Sequence, residues 1–247
     1  MSGPSNAIRT IAASGVILAA SGIVAAAAAA QSSGALPVVT IVRVRTPRFV
    51  PDALIRRKMR ATVVQYQHLP GLAYKAFTIS DDGYFGGAYL WTDRASAESW
   101  FDSTWHARVR RERGVDGEVR IFDAPVVLDN EPDDAPRVAG GDAAVTVALI
   151  PIPTGVTREA LIAGFTAAVP IYRGVPGLLR KYFVITPDGS FGGVYVWRTR
   201  YDADHHFTAA WREQARKTYG AIPTLEIYSA PILTPSAEAS NRVTVVR

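Results

Sequence analysis

Apolar positions recur along this chain with two periods. Val38–Arg45 is dense in β-branched residues and predicts a strand. Over Asp52–Tyr66 the apolar positions fall at Ile55, Met59, Thr62, Val63 and Tyr66, the three-and-four spacing of one helix face. Leu72–Ile79 and Tyr84–Trp91 predict a β-hairpin joined through Asp82-Gly83. Ala97, Trp100, Phe101, Thr104, Trp105 and Arg108 return to helical spacing and predict a second amphipathic helix. Val119–Pro125 predicts a last strand. The order βαββαβ is the ferredoxin-like motif.

The same unit is then written again. Residues 70–91 read PGLAYKAFTISDDGYFGGAYLW and residues 176–197 read PGLLRKYFVITPDGSFGGVYVW, an offset of 106 that holds without a gap from Pro70/Pro176 to Pro125/Pro231. About 22 of those 56 positions are identical, among them Lys75/Lys181, Phe77/Phe183, Gly86-Gly87/Gly192-Gly193, Tyr89/Tyr195 and Trp91/Trp197. The second copy runs from Val145 to Pro231. Two copies are too few for a solenoid, so the units are expected to close on each other as a pseudo-two-fold pair.

The hairpin strands suggest how. In Tyr84–Trp91 one face carries Phe85, Gly87, Tyr89 and Trp91 and the other Gly86, Ala88 and Leu90. Neither face is polar, whereas a sheet covered on one side only would show polar residues on the other. One face is therefore expected under helices and the other against the second sheet. The fold class is α+β: two ferredoxin-like repeats packed sheet to sheet as an intramolecular pseudo-dimeric α+β barrel. The expected organisation is a signal or anchor over 1–30, repeats at 37–128 and 143–235, an acidic Pro/Gly linker at 129–142 and a tail from 236 to 247. The repeats are expected to pair within one chain, with further association left open.

Composition changes the picture at three points. The absence of cysteine excludes disulfides, thiol nucleophiles and thiolate-bound metal. Residues 11–30 carry no charge, follow Arg9 and end in an alanine run before Gln31. That pattern reads as a secretory signal cleaved near Ala30. An uncleaved anchor, with membrane association through this segment, is the alternative, and both place the folded part in the periplasm or outside the cell. The net charge of +5 divides unevenly: segment 129–142 carries −4, so the remainder is near +9. Such a surface favours anionic partners by long-range attraction. The runs Arg56-Arg57-Lys58 and Arg110-Arg111 read as solvated helix faces, and nucleic acid is not an expected partner.

Pro70-Gly71, Lys75, Gly86-Gly87, Tyr89, Asp93, Ala97, Ala107-Arg108, Gly114-Val115 and Ile121-Phe122-Asp123 resemble the YdhR-type mono-oxygenase family. That family lies in the dimeric α+β barrel superfamily, with the antibiotic-biosynthesis monooxygenases. The resemblance covers about 90 residues of the first repeat, and the second follows through its identity with the first. The chain departs from the family in fusing two repeats, in its export signal, and in having Trp105, beside His106, where the family has a histidine. The resemblance implies oxygenation without metal, flavin or other cofactor, with an electron-rich phenol or quinol as its own reductant. It also implies a pocket between sheet and helices.

Such chemistry needs a base, hydrogen-bond donors and a dry pocket. The catalytic candidates are His106, Lys75 and Lys181. Aromatic candidates for substrate binding are Tyr66, Tyr74, Tyr89, Trp91 and Trp105, with Tyr172, Tyr195, Trp197 and Trp211 in the second copy. No histidine occupies matching positions in both copies: His68 pairs with Gly174, His106 with Arg212, His205 with Ser99 and His206 with Trp100. Asp202 and His206 are four apart, but no third ligand is evident, so no metal is expected. Mid-strand Lys75 and Lys181 either sit in a pocket with lowered pKa or reach solvent along their alkyl stems. Three functions remain, of which the first two are oxygenation of a small aromatic, quinol or polyketide-like molecule and non-catalytic binding of a hydrophobic aromatic ligand such as haem. A structural barrel whose basic helices face an anionic surface is a third.

Overall fold

The structure is a computed structural model that describes residues 36–47, 49–131, 141–238 and 243. The expected signal or anchor over 1–30 and most of the expected acidic linker lie outside the described residues. Each repeat forms one half of a closed eight-stranded antiparallel barrel. The first comprises β1 (Val38–Arg45), α1 (Asp52–Gln67), β2 (Leu72–Ile79), β3 (Tyr84–Trp91), α2 (Arg94–Trp100), α3 (Ser103–Arg113) and β4 (Gly117–Asp129). The second comprises β5 (Ala144–Pro151), α4 (Arg158–Arg173), β6 (Leu178–Ile185), β7 (Ser190–Trp197), α5 (Arg200–His206), α6 (Ala209–Tyr219) and β8 (Thr224–Pro235). The order around the barrel is β1-β3-β2-β8-β5-β7-β6-β4.

Closure comes from the last strand of each repeat, which runs further than its hydrophobic pattern predicts. Past Asp123 the register of β4 shifts, and Val126–Asp129 pairs with Phe183–Arg180 of β6. Likewise β8 pairs with β5 and then continues along β2, matching Leu233 to Ala76 and Pro235 to Tyr74. Each half thus lends a strand end to the other, and no sheet edge is left open. Asp129 and Glu131, expected in the linker, instead belong to this seam and form ion pairs with Arg180. After β8, Ser236 and Ala237 donate backbone hydrogen bonds to Ala73 and Gln67 of the first repeat.

The alternation predicted for the hairpin strands is realised. Gly86, Ala88 and Leu90 turn into the barrel; Ala88 and Leu90 join Val39, Ile41, Val145 and Val194 in its core. Tyr89 and Trp91 turn outward under the helices with Phe101 and Trp105. Gly86 is required by this pairing, since a Cβ there would lie 1.9 Å from the Val42 carbonyl oxygen. The predicted second helix is broken. It stops at Phe101, and Asp102 starts a new helix by accepting a hydrogen bond from the Trp105 N–H, 2.8 Å away. Thr208 does the same for Trp211 in the second copy. The break lets Phe101 and Trp105 both face the sheet, while Thr104 and Arg108 of the predicted stripe are exposed.

The rotation that exchanges the repeats carries every strand onto one running the same way, so the pseudo-two-fold axis lies along the barrel. Two contacts join residues exactly one repeat apart and therefore straddle that axis. Near one end Arg120 makes a bidentate pair with Glu226, at 2.7 and 2.6 Å. At the other, the Arg180 guanidinium lies 4.1 Å from the centre of the Tyr74 ring.

Candidate functional site

Between each sheet and its helices a lysine is enclosed by aromatic rings. In the first repeat Lys75 Nζ lies 3.1 Å from the ring centre of Tyr66, 3.8 Å from Phe77 and 4.4 Å from Tyr89. In the second, Lys181 Nζ lies 3.1 Å from Tyr172, 4.1 Å from Phe183 and 4.5 Å from Tyr195. Both lysines are 2% exposed, so neither reaches solvent along its stem. Gly87 and Gly193 make the room: a Cβ on Gly193 would stand 2.8 Å from Tyr195 Cε2 and 3.0 Å from Lys181 Cε. The rings favour a cation, but no carboxylate is in ion-pair contact with either lysine among the described residues. Burial wins and pushes both amines well below the ordinary lysine range, towards the neutral form.

Hydroxyl groups connect these amines outward. Lys181 Nζ donates to the Tyr195 hydroxyl at 3.0 Å, and the Tyr195 and Tyr172 hydroxyls are hydrogen-bonded to each other. Tyr66 and Tyr89 are hydrogen-bonded in the same way in the first repeat. Burial raises all four phenols, so they stay protonated and act as donors and proton carriers. In the second repeat the chain of hydroxyls ends on a cavity of about 70 Å³ between β5, β7 and α6. Tyr172, Tyr195, Trp211, Gln214, Tyr219 and Pro223 are among its walls. Lys181 stands behind Tyr195 and does not itself line the cavity.

His206, at the position matching Trp100, packs its ring 5.0 Å from Trp197, 6.0 Å from Tyr195 and 6.3 Å from Tyr172. Its Nε2 is buried and finds no hydrogen-bond partner. Burial first, and then the neighbouring Lys181 amine, push its pKa down to about 4, so the ring is neutral near pH 7.

The structure therefore gathers Tyr66, Lys75 and Tyr89 around one point, and Tyr172, Lys181 and Tyr195 around its counterpart, with Trp211 nearby. It separates the other candidates. Tyr74 lies on the opposite face of β2 from Lys75, inside the barrel, because neighbours on a strand point opposite ways. Trp91 and Trp197 are fully buried, each donating its indole N–H to a threonine, Thr40 or Thr146. Trp105 is a core residue packed edge-on against Phe101. His106 is half-buried, with its ring 4.9 Å from that of Trp105. Asp202, His205 and His206 do not converge: Asp202 bonds the Thr199 hydroxyl, His205 Nδ1 meets the Tyr201 carbonyl at 2.9 Å, and His206 turns inward. No metal-ligating cluster occurs among the described residues. Missing from the candidates were Gln214 and Tyr219, and His206 had been weighed only as a metal ligand; the 106-residue offset carries the signal for its buried position, by aligning it with a core-facing Trp100.

No protein-family model matches the sequence, and no curated protein matches it. Solved structures do match. A candidate monooxygenase from Fusobacterium nucleatum aligns with a TM-score of 0.56 at 10% identity, over 81% of this chain and 95% of its own. One from Lactobacillus acidophilus gives 0.54 at 11% identity, over 86% of this chain and 100% of its own. An anthrone oxidase-like protein gives 0.52 at 13% identity, over 87% and 98%. At these coverages a single neighbour chain spans both repeats, so the paired-repeat barrel is a shared architecture. At identities this low the likeness shows the fold alone.

Proposed function

We propose that this protein is an exported, cofactor-independent monooxygenase-like enzyme that oxidises a small phenol, quinol or related polyketide-type aromatic with dioxygen. One observation carries the reading: a buried amine, its pKa lowered by burial, joined through two hydrogen-bonded tyrosine hydroxyls to an aromatic-walled cavity. The similarity to structures described as candidate monooxygenases and as anthrone oxidase-like supports the same reaction type.

The chemistry asks little of the protein beyond proton handling and exclusion of water. A phenol in the cavity gives its proton through Tyr172 and Tyr195 to Lys181. The electron-rich phenolate then passes electrons to dioxygen. One oxygen atom is kept by the ring carbon and the other leaves as water, so phenol and dioxygen become a para-quinone and water. About 70 Å³ holds dioxygen or a fragment of a ring. A complete substrate enters only as α6 lifts, and that helix buries just Ala215, whereas α3 buries both Trp105 and Val109.

The test is dioxygen uptake with 1-naphthol and hydroquinone, with quinone followed by its absorbance. Tyr195→Phe and Lys181→Met are expected to lower kcat about 100-fold or more, the usual range for general acid–base groups. His106→Ala measures the remaining candidate base in the same assay. The second reading, binding without turnover, is favoured by the fact that His206 has no histidine counterpart in the first repeat. Saturable binding of these compounds with no dioxygen consumed would establish it.

A further inference from the structure

The two lysine cages are alike, but the space in front of them is not. In the first repeat Trp105 fills it. A Cβ on Gly117 would lie 2.4 Å from Trp105 Cη2, so the indole occupies room that exists only because residue 117 is glycine. The matching residue is Pro223, and the matching Trp211 is partly exposed where Trp105 is 7% exposed. Pro223 and Trp211 both line the second-repeat cavity. Two further walls shrink in the same direction: Val42 is matched by Ala148 and Val109 by Ala215, and both alanines face the cavity. Finally Trp100 is matched by His206, whose smaller ring packs behind the cavity near its wall residues Tyr172 and Tyr195.

We infer that the barrel has one working site, in the second repeat, which takes a small neutral phenol, and that Trp105 is a built-in plug that closes the first-repeat site. The inference deepens the proposed function and rests on it for the ligand's chemical class. A neutral phenol suits the walls: protonated Tyr172 and Tyr195 offer hydroxyls, Trp211 and Tyr219 offer ring faces, and none of the cavity's lining residues carries a formal charge. Ala148, Ala215 and Pro223 are the residues that decide which half binds.

The chain has five tryptophans, at 91, 100, 105, 197 and 211, which supply five indole N–H signals split between the two halves. These are assigned through single Trp→Phe variants and followed by two-dimensional NMR during titration with phenol. The expected result is a saturable shift of Trp211, with Trp91, Trp100 and Trp105 still. Restoring the first repeat's bulk with Ala148→Val plus Ala215→Val is expected to weaken that response at least about tenfold, the equivalent of 1.4 kcal/mol. Trp105→Ala is expected to make Trp100 respond as well; should that variant not fold, the valine pair still decides the matter. Shifts of Trp100 and Trp105 in the unaltered chain at the same phenol concentration would overturn the inference. So would an undiminished Trp211 response in the valine pair, or no response at all. Phenol that moves Trp211 alone yet is never oxidised keeps this inference and removes the proposed reaction. Oxidation accompanied by movement of Trp100 and Trp105 does the reverse.

Discussion

The buried amines and the imidazole set the behaviour of this protein residue by residue. His206 carries a folded-state pKa of about 4 against an ordinary 6.5. Above pH 6.5 the ring is neutral in both folded and unfolded chains and costs nothing. As pH falls from 6.5 to 4 the unfolded chain takes up a proton that the folded one refuses, so stability is lost over that window and no further below it. The titratable groups that face the ring are Lys181, whose amine burial drives towards its neutral form, and the protonated phenols Tyr172 and Tyr195. His206→Trp, which copies the first repeat, is expected to flatten the pH 4–6.5 slope in urea denaturation. A buried amine with no carboxylate partner is a cost to folding that the aromatic rings only partly offset. Lys75→Met, similar in length and apolar, is therefore expected to stabilise the fold by on the order of 1 kcal/mol or more, read from the urea midpoint.

At the scale of elements, the hairpins decide where the cages can form. Strands β3 and β7 lie against β1 and β5 so closely that Gly86 has no space for a methyl group, and the obstacle is the Val42 backbone rather than a side chain that could swing away. Gly86→Ala is expected to cost about 2 kcal/mol or more, or to prevent folding, whereas Gly83→Ala meets no neighbouring atom and loses only the strain of its positive φ. Comparing their thermal midpoints checks this. Helix starts are fixed by side-chain caps, as at Thr157, whose hydroxyl accepts from the Ala160 N–H at 3.2 Å. Thr157→Ala is expected to cost about 1 kcal/mol. The same capping explains why one predicted helix became two. A stripe counted over Ala97–Arg108 sees only spacing, while Asp102 competes for the Trp105 N–H and restarts the helix one turn later.

For the whole molecule, the pseudo-two-fold axis records what the fused chain can do that a pair of identical chains cannot. On a true two-fold axis a residue faces its own copy. Arg120 would meet arginine, and Glu226 would meet glutamate. Here the two form a bidentate pair instead, and Tyr228 adds a hydrogen bond to Glu226. At the far end Arg180 faces Tyr74 and is held by Asp129 and Glu131 from the neighbouring strand end. These contacts favour one half meeting the other over either half meeting itself. Arg120→Glu and Glu226→Arg are each expected to destabilise, and the double exchange to recover most of the loss, with a coupling of about 1 kcal/mol in a double-mutant cycle.

The 106-residue repeat and the alternation within Tyr84–Trp91 carried the α+β class, the strand order within each half and the burial of both sheet faces, because these follow from local period and from sheets that must cover their apolar sides. The lysine cage was half legible. Lys75 and Tyr89 stood out as residues kept in both copies and Tyr66 as an aromatic candidate, but nothing local places a helix residue above a strand residue. Three things belonged to the folded molecule alone. The strand ends cross the seam through register shifts that no periodicity encodes. Tyr74 and Lys75 part company because a strand turns neighbours to opposite faces once the barrel has an inside. The halves become unequal because a glycine at 117 and a proline at 223 act only through the indole that packs against them.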